Sequence, residues 1–366
     1  MANGELISLF VPSVRGGGAE RAMLVFGREL VRRGFRVVLV LTSLDGALVD
    51  LIPPGIRVVD LGRSRTLATL PKLIGYLREN SPKALFSTIM NANVVAGIAG
   101  RIAGGDTKII VRESNAPVST PKLTPRSWLT FKLAPLSYRL SHGVIAVSQG
   151  VAEELVRMDA AIKPRLHVVP TPVISEEVLA LAEEPVDHPW FHDQGRPVIV
   201  SAGRLARHKG FLSLFRAFAR LRDRVDARLV VLGEGDYRDI LEAERDSLGL
   251  HDEIDLIGFQ KNPFRYMARA DLFVLASEYE GLPNVLVQAM ALGAPIVSTD
   301  CKAGPAEILC HGKYGRLVPV GDVERLATAM EEALGEPRRT DAPRYARERY
   351  GAAQATAEYL GIAGLA

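Results

Sequence analysis

An acidic side chain beside a predicted helix start is the first candidate for chemistry in this sequence. The stretch SEYEGLPNVLVQAMALGAPIVSTDCKAGPAEI, residues 277–308, predicts a strand end, an acidic loop, a helix and a second strand. Pro283 suits the first helical turn, because proline has no N–H to lose there. The backbone N–H groups nearest this start belong to Gly281, Leu282 and Asn284. Since a helix dipole favours an anion at the N-terminus, Glu280 stands beside a predicted anion site, with Gln288 about two turns further on.

Two long cations follow another predicted strand, Val198 to Ala202. Arg204 and Lys209 precede a predicted helix that begins at Phe211. The planar fork of an arginine grips two phosphate oxygens and a lysine adds a compact charge, so this pair could clamp a diphosphate and stabilise it as it leaves. Solvated side chains on ordinary strand–helix connections would give the same pattern for this pair and for Glu280, so spacing alone leaves both interpretations open.

A glycine cluster lies at the first predicted strand-to-helix turn. A buried strand from Leu6 to Val11 is followed by a loop with glycines at 16–18, a helix and a second buried strand. Glycine lets a ligand come close to the backbone, so such a turn is typical of phosphate binding. A dinucleotide fingerprint is incomplete, because Arg21 stands where the third glycine is required and no clear acidic residue ends the second strand. The pattern therefore does not favour NAD binding.

An acid pair follows the strand that ends at Leu232. Glu234 and Asp236 superficially resemble metal ligands. Their position beside Gly233, in a strand-to-helix turn, favours a nucleotide-binding loop instead. We therefore predict no metal site.

Strands alternate with helices along the chain, which implies α/β architecture with parallel, doubly wound sheets. At 366 residues the chain is too long for one typical core. A proline-rich, acidic stretch begins near residue 172, and the strand–helix pattern starts again after it. We therefore predict a first domain over residues 1–172 and a second over 173–342. A last helix, from about 343 to 360 in the segment 343–366, is expected to pack back on the first domain.

Composition is that of an ordinary globular protein, with 48% hydrophobic and 24% charged residues. The two cysteines, Cys301 and Cys310, suit a reducing compartment with no disulfide framework. The sequence lacks an apolar run of the roughly eighteen residues that a membrane span requires, and its N-terminus lacks the pattern of a signal peptide. A cytoplasmic location is therefore expected.

Charge is distributed unevenly along the chain. Residues 1–172 contain 22 Lys and Arg against 12 Asp and Glu, whereas the rest contains 23 against 30. A basic first half suggests an anionic partner: a membrane surface, a phosphorylated acceptor or nucleic acid. Nucleic acid is disfavoured, because we find no dense basic patch with exposed aromatics and no nucleic-acid motif. The segment 120–139 mixes basic and aromatic residues and could rest on an anionic membrane, although a helix docked on its own domain would look the same.

Several motifs follow one another over nearly the whole chain. They are GGGAER at 16–21, GRLARHKGF at 203–211, LGEGDYRDIL at 232–241, EGLPNVLVQAMALGAPIV at 280–297, and GPAEI with GKYGRLVPVGD within 304–322. In this order and spacing they resemble those of the retaining glycosyltransferases of family 4. That family has the GT-B fold, in which two Rossmann-like domains face each other across a donor-binding cleft.

The resemblance implies a sugar nucleotide as substrate, bound in that cleft, with no metal or other cofactor. Arg204 and Lys209 match the family's diphosphate-binding pair. Glu280 matches the first of the family's two glutamates, eight residues apart, which contacts the donor sugar. The second glutamate usually binds the ribose; it is Gln288 here, whose amide can still hydrogen-bond ribose hydroxyls. The donor-binding positions implied by the match are Gly17, Gly18, Gly203, Gly233, Gly281, Leu282, Asn284 and Gln288.

The activity implied is sugar transfer with retention, in which the acceptor hydroxyl attacks from the leaving-group face. Arg204, Lys209 and the helix start at 281–284 would stabilise the departing diphosphate, and Glu280 would orient the sugar. The segment CKAGPAEILCHGKYG, residues 301–315, is similar to that of members that extend lipid-linked bacterial oligosaccharides, often from UDP-N-acetylhexosamines; a UDP-hexose is the other donor expected. An undecaprenyl-diphosphate acceptor at the inner face of the plasma membrane would suit the basic first half.

Two other functions stay open from the sequence. One is a UDP-sugar 2-epimerase of the same fold, although such enzymes depend on other acids and histidines, and histidines are sparse here. The second is a degenerate, non-catalytic partner subunit, which Gln288 suggests and which the presence of Arg204, Lys209 and Glu280 disfavours.

Overall fold

The computed structural model describes residues 4–63, 65–115, 125–193 and 195–365. The chain divides into two compact units. The first comprises Met1–Val173 together with Gly351–Ala366, and the second comprises Ile174–Tyr350. The second unit is therefore an insertion between two segments of the first.

A parallel sheet forms the centre of the first unit. Its strands in the described residues are β1 (Leu6–Val11), β2 (Arg36–Leu41), β3 (Ile56–Asp60), β4 (Ala84–Thr88), β5 (Lys108–Glu113), β6 (Gly143–Ala146) and β7 (Leu166–Val168). They lie in the order β3-β2-β1-β4-β5-β6-β7, and each neighbouring pair is parallel. The central strands are buried along almost their whole length, as expected when helices cover both faces of a sheet.

Helices connect these strands. They are α1 (Gly18–Arg32), α2 (Leu70–Asn80), α3 (Met90–Ala103), α4 (Pro125–Leu140) and α5 (Gln149–Met158), with short 3-10 turns at Val49–Leu51, Thr66–Thr69 and Ala160–Arg165. The hydroxyl of Ser148 accepts the N–H of Val151 at 3.3 Å, so Ser148 caps the N-terminus of α5.

The second unit repeats this architecture. Its strands are β8 (Val198–Ala202), β9 (Arg228–Leu232), β10 (Ile254–Gly258), β11 (Leu272–Leu275), β12 (Ile296–Thr299) and β13 (Arg316–Val318). They lie parallel in the order β10-β9-β8-β11-β12-β13. Two doubly wound α/β units were predicted from the sequence, and the structure confirms them.

The helices of the second unit lie on both faces of its sheet. They are α6 (Glu176–Glu183), α7 (Phe211–Arg222), α8 (Arg238–Ser247), α9 (Phe264–Arg269), α10 (Asn284–Ala291), α11 (Pro305–Ile308), α12 (Val323–Leu334) and α13 (Asp341–Tyr350), with 3-10 turns at Pro189–Phe191 and Arg207–Lys209. On one face α7 and α12 bury a single cluster that includes Phe215, Phe218 and Met330. This core fixes α7 and therefore the turn that precedes it.

The prediction of a single last helix is wrong. Gly351 has extended dihedral angles, φ −64° and ψ 135°, and separates α13 from α14 (Ala352–Ile362). The guanidinium of Arg347 on α13 donates to the carbonyl of Ala291 in the second unit. α14 belongs to the first unit, where the ring of Tyr359 lies 5.2 Å from that of Phe26. The two halves of the predicted helix therefore pack on different units.

Candidate functional site

The candidate site lies where the strand order of the second sheet reverses. β8 and β11 are neighbours, but β8 is followed by β9 on one side and β11 by β12 on the other. Open α/β sheets bind ligands beyond the carboxyl ends of such strands, because the two connections diverge there. We call residues 203–210, which follow β8, the cation turn, and residues 277–283, which follow β11, the acid loop. The charges predicted from the sequence therefore lie on neighbouring strand ends.

The cation turn presses directly against the end of β11. The N–H of Lys209 closes the turn by donating to the carbonyl of Ala206 at 3.0 Å. Gly210 follows in the left-handed region with φ +68° and precedes α7. A Cβ atom on Gly210 would lie 1.9 Å from the carbonyl oxygen of Ala276. Only glycine fits both this dihedral angle and this approach.

Gly203 and Gly233 have a packing role that the sequence did not reveal. The φ of Gly233 is +144°, and a Cβ there would lie 1.9 Å from the carbonyl oxygen of Gly203. The N–H of Gly203 donates to Leu232 and that of Gly233 to Gly258, both at 2.9 Å. The turns at this edge of the sheet thus pack backbone against backbone. Contact of the two glycines with a donor stays a prediction.

A buried ion pair joins the cation turn to the acid loop. The Nζ of Lys209 donates to the Oε1 of Glu280 at 2.7 Å, with 19% and 8% of the two side chains exposed. The hydroxyl of Ser277 donates to the same oxygen at 2.7 Å, and Ser277 is held in turn because its carbonyl accepts from the hydroxyl of Thr299 at 2.6 Å. A lysine has three donors, and the pair uses one. Oε2 of Glu280 keeps lone pairs with which it can accept a hydroxyl.

Two further contacts fasten the same pair of segments. The N–H of Glu278 donates to the carbonyl of His208 at 2.8 Å. The ring of His208 stacks on that of Tyr279, with centroids 4.6 Å apart and planes 17° from parallel. Since Lys209 and Glu280 directly follow these residues, the stack and the backbone bond fix the ion pair in place.

Arg204 is exposed at the start of the cation turn, and its charge acts on His208. Burial lowers the pKa of His208, the positive charges of Lys209 and Arg204 lower it further, and Glu280 partly opposes this effect. His208 is therefore neutral at pH 7. The exposed guanidinium of Arg204 and the half-buried ammonium of Lys209 are the groups that can receive an anion.

The helix that follows the acid loop begins one residue later than the sequence predicts. Pro283 precedes α10, because its ψ of 95° is not helical, and Asn284 is the first helical residue. Leu282 is buried, and the turn after β12 packs closely on the acid loop: a Cβ on Gly304 would lie 2.5 Å from the Cδ of Pro283 and 3.3 Å from the Cα of Leu282. Gln288 is buried on α10, one turn into the helix. The structure thus brings Gly281, Leu282 and Asn284 to the edge that carries Lys209 and Glu280.

The thiol of Cys301 belongs to this site, and sequence reasoning missed it. Cys301 is buried just after β12. Burial raises its pKa to about 12, with a further contribution from the negative charge of Glu280. The thiol is therefore neutral and lies within electrostatic reach of the Lys209–Glu280 pair. The signal in the sequence was its place three residues before the GPAEI motif, at the carboxyl end of a predicted strand.

Gly17 and Gly18 lie in the first unit, at the carboxyl end of β1. That strand and β4 form the point where the strand order of the first sheet reverses. The carboxylate of Glu20 accepts the N–H groups of Gly16 and Gly17, at 3.0 and 2.6 Å, and the hydroxyl of Ser13 at 2.9 Å. The amide of Gly17 is thus already bonded, and Gly18 is the first residue of α1. Their approach to a donor phosphate stays a prediction.

A second buried acid lies in the first unit, at the end of β5. Glu113 accepts hydrogen bonds from the hydroxyl of Tyr138 and the amide of Asn93, each at 2.6 Å. Burial raises its pKa to about 7, against the opposing effects of these two bonds and of Arg112. The carboxyl therefore ties α3 and α4 to β5, a structural role.

The first acid of the turn after β9, Glu234, is used in an internal ion pair. Arg238 donates to the two oxygens of Glu234 at 3.0 and 2.8 Å, and these bonds lower the pKa of Glu234. Within the described part of the chain, no group of three His, Cys, Asp or Glu side chains is placed to hold a metal ion.

Two protein-family models match the chain. The model described as "Glycosyltransferase Family 4" matches residues 16–177, and that described as "Glycosyl transferases group 1" matches residues 184–349. Together the two models cover most of both units. The chain belongs to glycosyltransferase family 4. The family that the sequence resembles is confirmed, and retention stays a prediction.

Two curated relatives of this family 4 glycosyltransferase are similar over about two thirds of the chain. An uncharacterized glycosyltransferase of Methanocaldococcus jannaschii is 29% identical over 268 residues, 67% of this chain and 66% of that protein. The N-acetylgalactosamine-N,N'-diacetylbacillosaminyl-diphospho-undecaprenol 4-alpha-N-acetylgalactosaminyltransferase of Campylobacter jejuni is 30% identical over 250 residues, 68% of this chain. That alignment spans 66% of the Campylobacter enzyme.

Solved structures of other proteins share the fold of this family 4 chain. The Anabaena protein HepE, in a complex with UDP and glucose, superposes with a TM-score of 0.79 over 98% of this chain and 99% of HepE, at 20% identity. At this identity the likeness concerns the fold alone. The fold is GT-B, as the sequence predicted.

Proposed function

We propose that this protein transfers a sugar, with retention of anomeric configuration, from a nucleotide-sugar donor to a glycan or polyprenyl-diphosphate-linked acceptor. The single observation that carries the proposal is the Lys209–Glu280 ion pair beside the start of α10. It unites a cation for phosphate and a fixed carboxylate for a sugar. A contribution to folding stability does not explain this ion pair, because the free energy cost of removing two charges from water offsets their mutual attraction.

The donor's diphosphate would be bound by the cation turn. Arg204 supplies a planar fork for two oxygens, Lys209 has two further donors, and the positive end of the α10 dipole favours the same charge. These groups would replace a metal ion in neutralising the leaving group. The donor's sugar would be held by Oε2 of Glu280, and the ribose by the amide of Gln288.

A uridine nucleotide is the donor we propose, as a UDP-N-acetylhexosamine or a UDP-hexose. The printed title of the HepE structure names UDP and glucose, and the name of the Campylobacter relative describes transfer of N-acetylgalactosamine onto an undecaprenol-linked sugar. The first name supports a uridine nucleotide as donor for the present chain, and the second supports an N-acetylhexosamine as the sugar. The second also supports an acceptor carried on undecaprenyl diphosphate in bacterial polysaccharide biosynthesis.

In the reaction we propose, the acceptor oxygen forms a bond to the anomeric carbon on the face that the diphosphate leaves. The bond from that carbon to the β-phosphate oxygen breaks, and its electron pair stays on the diphosphate. Arg204 and Lys209 stabilise the charge that develops there. The acceptor's proton passes to a phosphate oxygen, so atoms and charge balance without a protein base.

The test begins with a thermal-shift screen of UDP-glucose, UDP-N-acetylglucosamine, UDP-N-acetylgalactosamine, GDP-mannose and ADP-glucose. We expect a stabilising shift with a UDP-sugar, followed by release of UDP that increases when an undecaprenyl-diphosphate-linked glycan is added. Formation of the 2-epimer of the sugar nucleotide without net consumption would indicate the epimerase instead. Binding of a UDP-sugar with no UDP release on any acceptor tested would indicate the non-catalytic subunit.

A membrane surface is the second partner we propose, and α4 is the element that would meet it. Trp128 and Leu136 have 51% and 49% of their surface exposed, on the same face of the helix as the ammonium of Lys132, which lies 5.7 Å from the Trp128 ring. Exposed aromatic and cationic side chains on one helical face suit the headgroup layer of an anionic bilayer. Residues 120–124 of the predicted segment lie outside the described residues. No described helix is long and apolar enough to cross a bilayer.

Replacing Trp128 and Leu136 together with serine is expected to weaken binding to vesicles that contain phosphatidylglycerol by about tenfold, because apolar area leaves the bilayer. Flotation with these vesicles, and with pure phosphatidylcholine, measures the effect. The matched control is Ile240→Ser, which removes an equally exposed apolar side chain from the second unit. If the native protein does not float with anionic vesicles, or if the double variant floats as well as the native protein, α4 is not a membrane-binding element.

A further inference from the structure

His208 is a titratable group of the candidate site that the proposed reaction does not use. Its ring stacks on Tyr279, its carbonyl accepts the N–H of Glu278, and it directly precedes Lys209. It thus touches both segments that the reaction requires. We propose that His208 is a positioning residue that holds the cation turn against the acid loop and takes up a proton when the donor's diphosphate binds.

The charges around His208 determine the direction of this effect. In the free protein its pKa is lowered by burial, by Lys209 and by Arg204, and it is raised by Glu280. The neutral ring is therefore the free form at pH 7, next to two cations. Its stacking partner Tyr279, whose own pKa is raised by burial, is also neutral at this pH.

A diphosphate bound by Arg204 and Lys209 reverses this balance. Two negative charges close to the ring cancel the repulsion from the two cations and favour the imidazolium. The pKa of His208 is then higher in the complex than in the free protein. By linkage, donor affinity must rise as the pH falls through the pKa of the complex, and it must level off below the pKa of the free protein. Because the pKa of His208 in the free protein lies below its ordinary value, donor affinity is expected to rise as the pH falls from the alkaline to the acid side of neutrality.

The probe is the UDP-sugar that binds most tightly in the thermal-shift screen, since its diphosphate is a diester and does not itself titrate in this range. Calorimetry at pH 7 in two buffers of different ionisation enthalpy measures the protons taken up, and titrations from pH 6 to pH 8 measure the affinity. For the native protein we expect net uptake of up to about one proton and an affinity about threefold to tenfold higher at the lower pH.

Three variants distinguish the effect of protonating His208 from the effect of its stacking on Tyr279. His208→Phe keeps an aromatic ring on Tyr279 but cannot be protonated, so we expect a folded protein whose affinity near pH 8 is close to native and whose pH dependence is lost. His208→Gln removes the stack as well, and we expect weaker binding at every pH. His251→Gln is the control, because His251 is an exposed histidine of the same unit, paired with Asp246.

The inference rests on the proposed function, and different experimental results would contradict each of them. If none of the sugar nucleotides binds, the proposed function itself is wrong and the inference falls with it. If a UDP-sugar binds without proton uptake by the native protein, or if His208→Phe keeps the native pH dependence, the role of His208 is overturned while the donor site stands. Absence of proton uptake by the native protein overturns the role of His208 even where a variant does not fold.

Discussion

Replacement of Lys209 with alanine is expected to lower turnover of the UDP-sugar by about a hundredfold to a thousandfold, with a smaller effect on KM. Two physical effects combine. The leaving diphosphate loses a cation whose interaction strengthens as the glycosidic bond breaks. The carboxylate of Glu280, buried and bonded to Lys209 at 2.7 Å, is left without its counter-charge, so we expect it to reorient.

A matched control for this variant lies in the same turn. Arg207 is an exposed cation two residues earlier, and Arg207→Ala removes the same formal charge without touching Glu280. We expect it to change turnover by less than about threefold, since exposed charges contribute little. Steady-state kinetics with far-UV circular dichroism distinguishes a chemical defect from unfolding. Near-native turnover in a folded Lys209→Ala protein would eliminate the phosphate clamp.

Replacement of Gly210 with alanine is expected to destabilise the second unit and abolish donor binding. The new methyl group has to find room where the carbonyl oxygen of Ala276 lies 1.9 Å away, so the cation turn must move off β11. Because Lys209 directly precedes Gly210, this movement also pulls the ammonium away from Glu280. We expect a loss of unfolding free energy of about 3 kcal/mol or more, from the strained dihedral angle and the overpacking together.

Gly249→Ala isolates the effect of the close approach. Gly249 has φ +67°, nearly the same as the +68° of Gly210, but a Cβ there meets nothing within 4 Å. The cost of the left-handed conformation is therefore common to both variants, at about 1 kcal/mol. Denaturant unfolding measures the stability of each variant, and titration of the folded proteins with the UDP-sugar measures their donor affinity. Equal loss of stability and equal donor affinity in the two variants would show that contact between the cation turn and β11 is unimportant.

The alternation of buried strands and helices was predictable from the sequence. Buried parallel strands appear as apolar runs, and glycines mark the turns between strands and helices. The charged members of the site were also predictable one by one, from their places after strands. The contact between these charged side chains was not predictable. Lys209 and Glu280 are 71 residues apart, and only the strand order, with β8 beside β11, brings them together. Strand order is a property of the sheet as a whole, which no local pattern contains.

Other features depend on contacts that composition and periodicity do not encode. Gly233 resembled a ligand-approach glycine, whereas the carbonyl oxygen of Gly203 occupies the space where its side chain would stand. Cys301 was read only as a sign of a reducing compartment, although its thiol lies near Glu280. The break at Gly351 was missed because the flanking residues favour a helix on both sides. In each case tertiary packing, not local preference, decides the outcome.

The return of α14 to the first unit has a consequence for synthesis of the chain on the ribosome. The ring of Tyr359 closes an aromatic cluster with Phe26 and Phe86, and its hydroxyl accepts a hydrogen bond from the buried Arg112 at 3.0 Å. The first unit therefore completes its core only after the whole second unit has emerged. Domains generally fold in the order in which they are made. Here the later unit can finish first, while the earlier one waits with exposed apolar surface for its last helix.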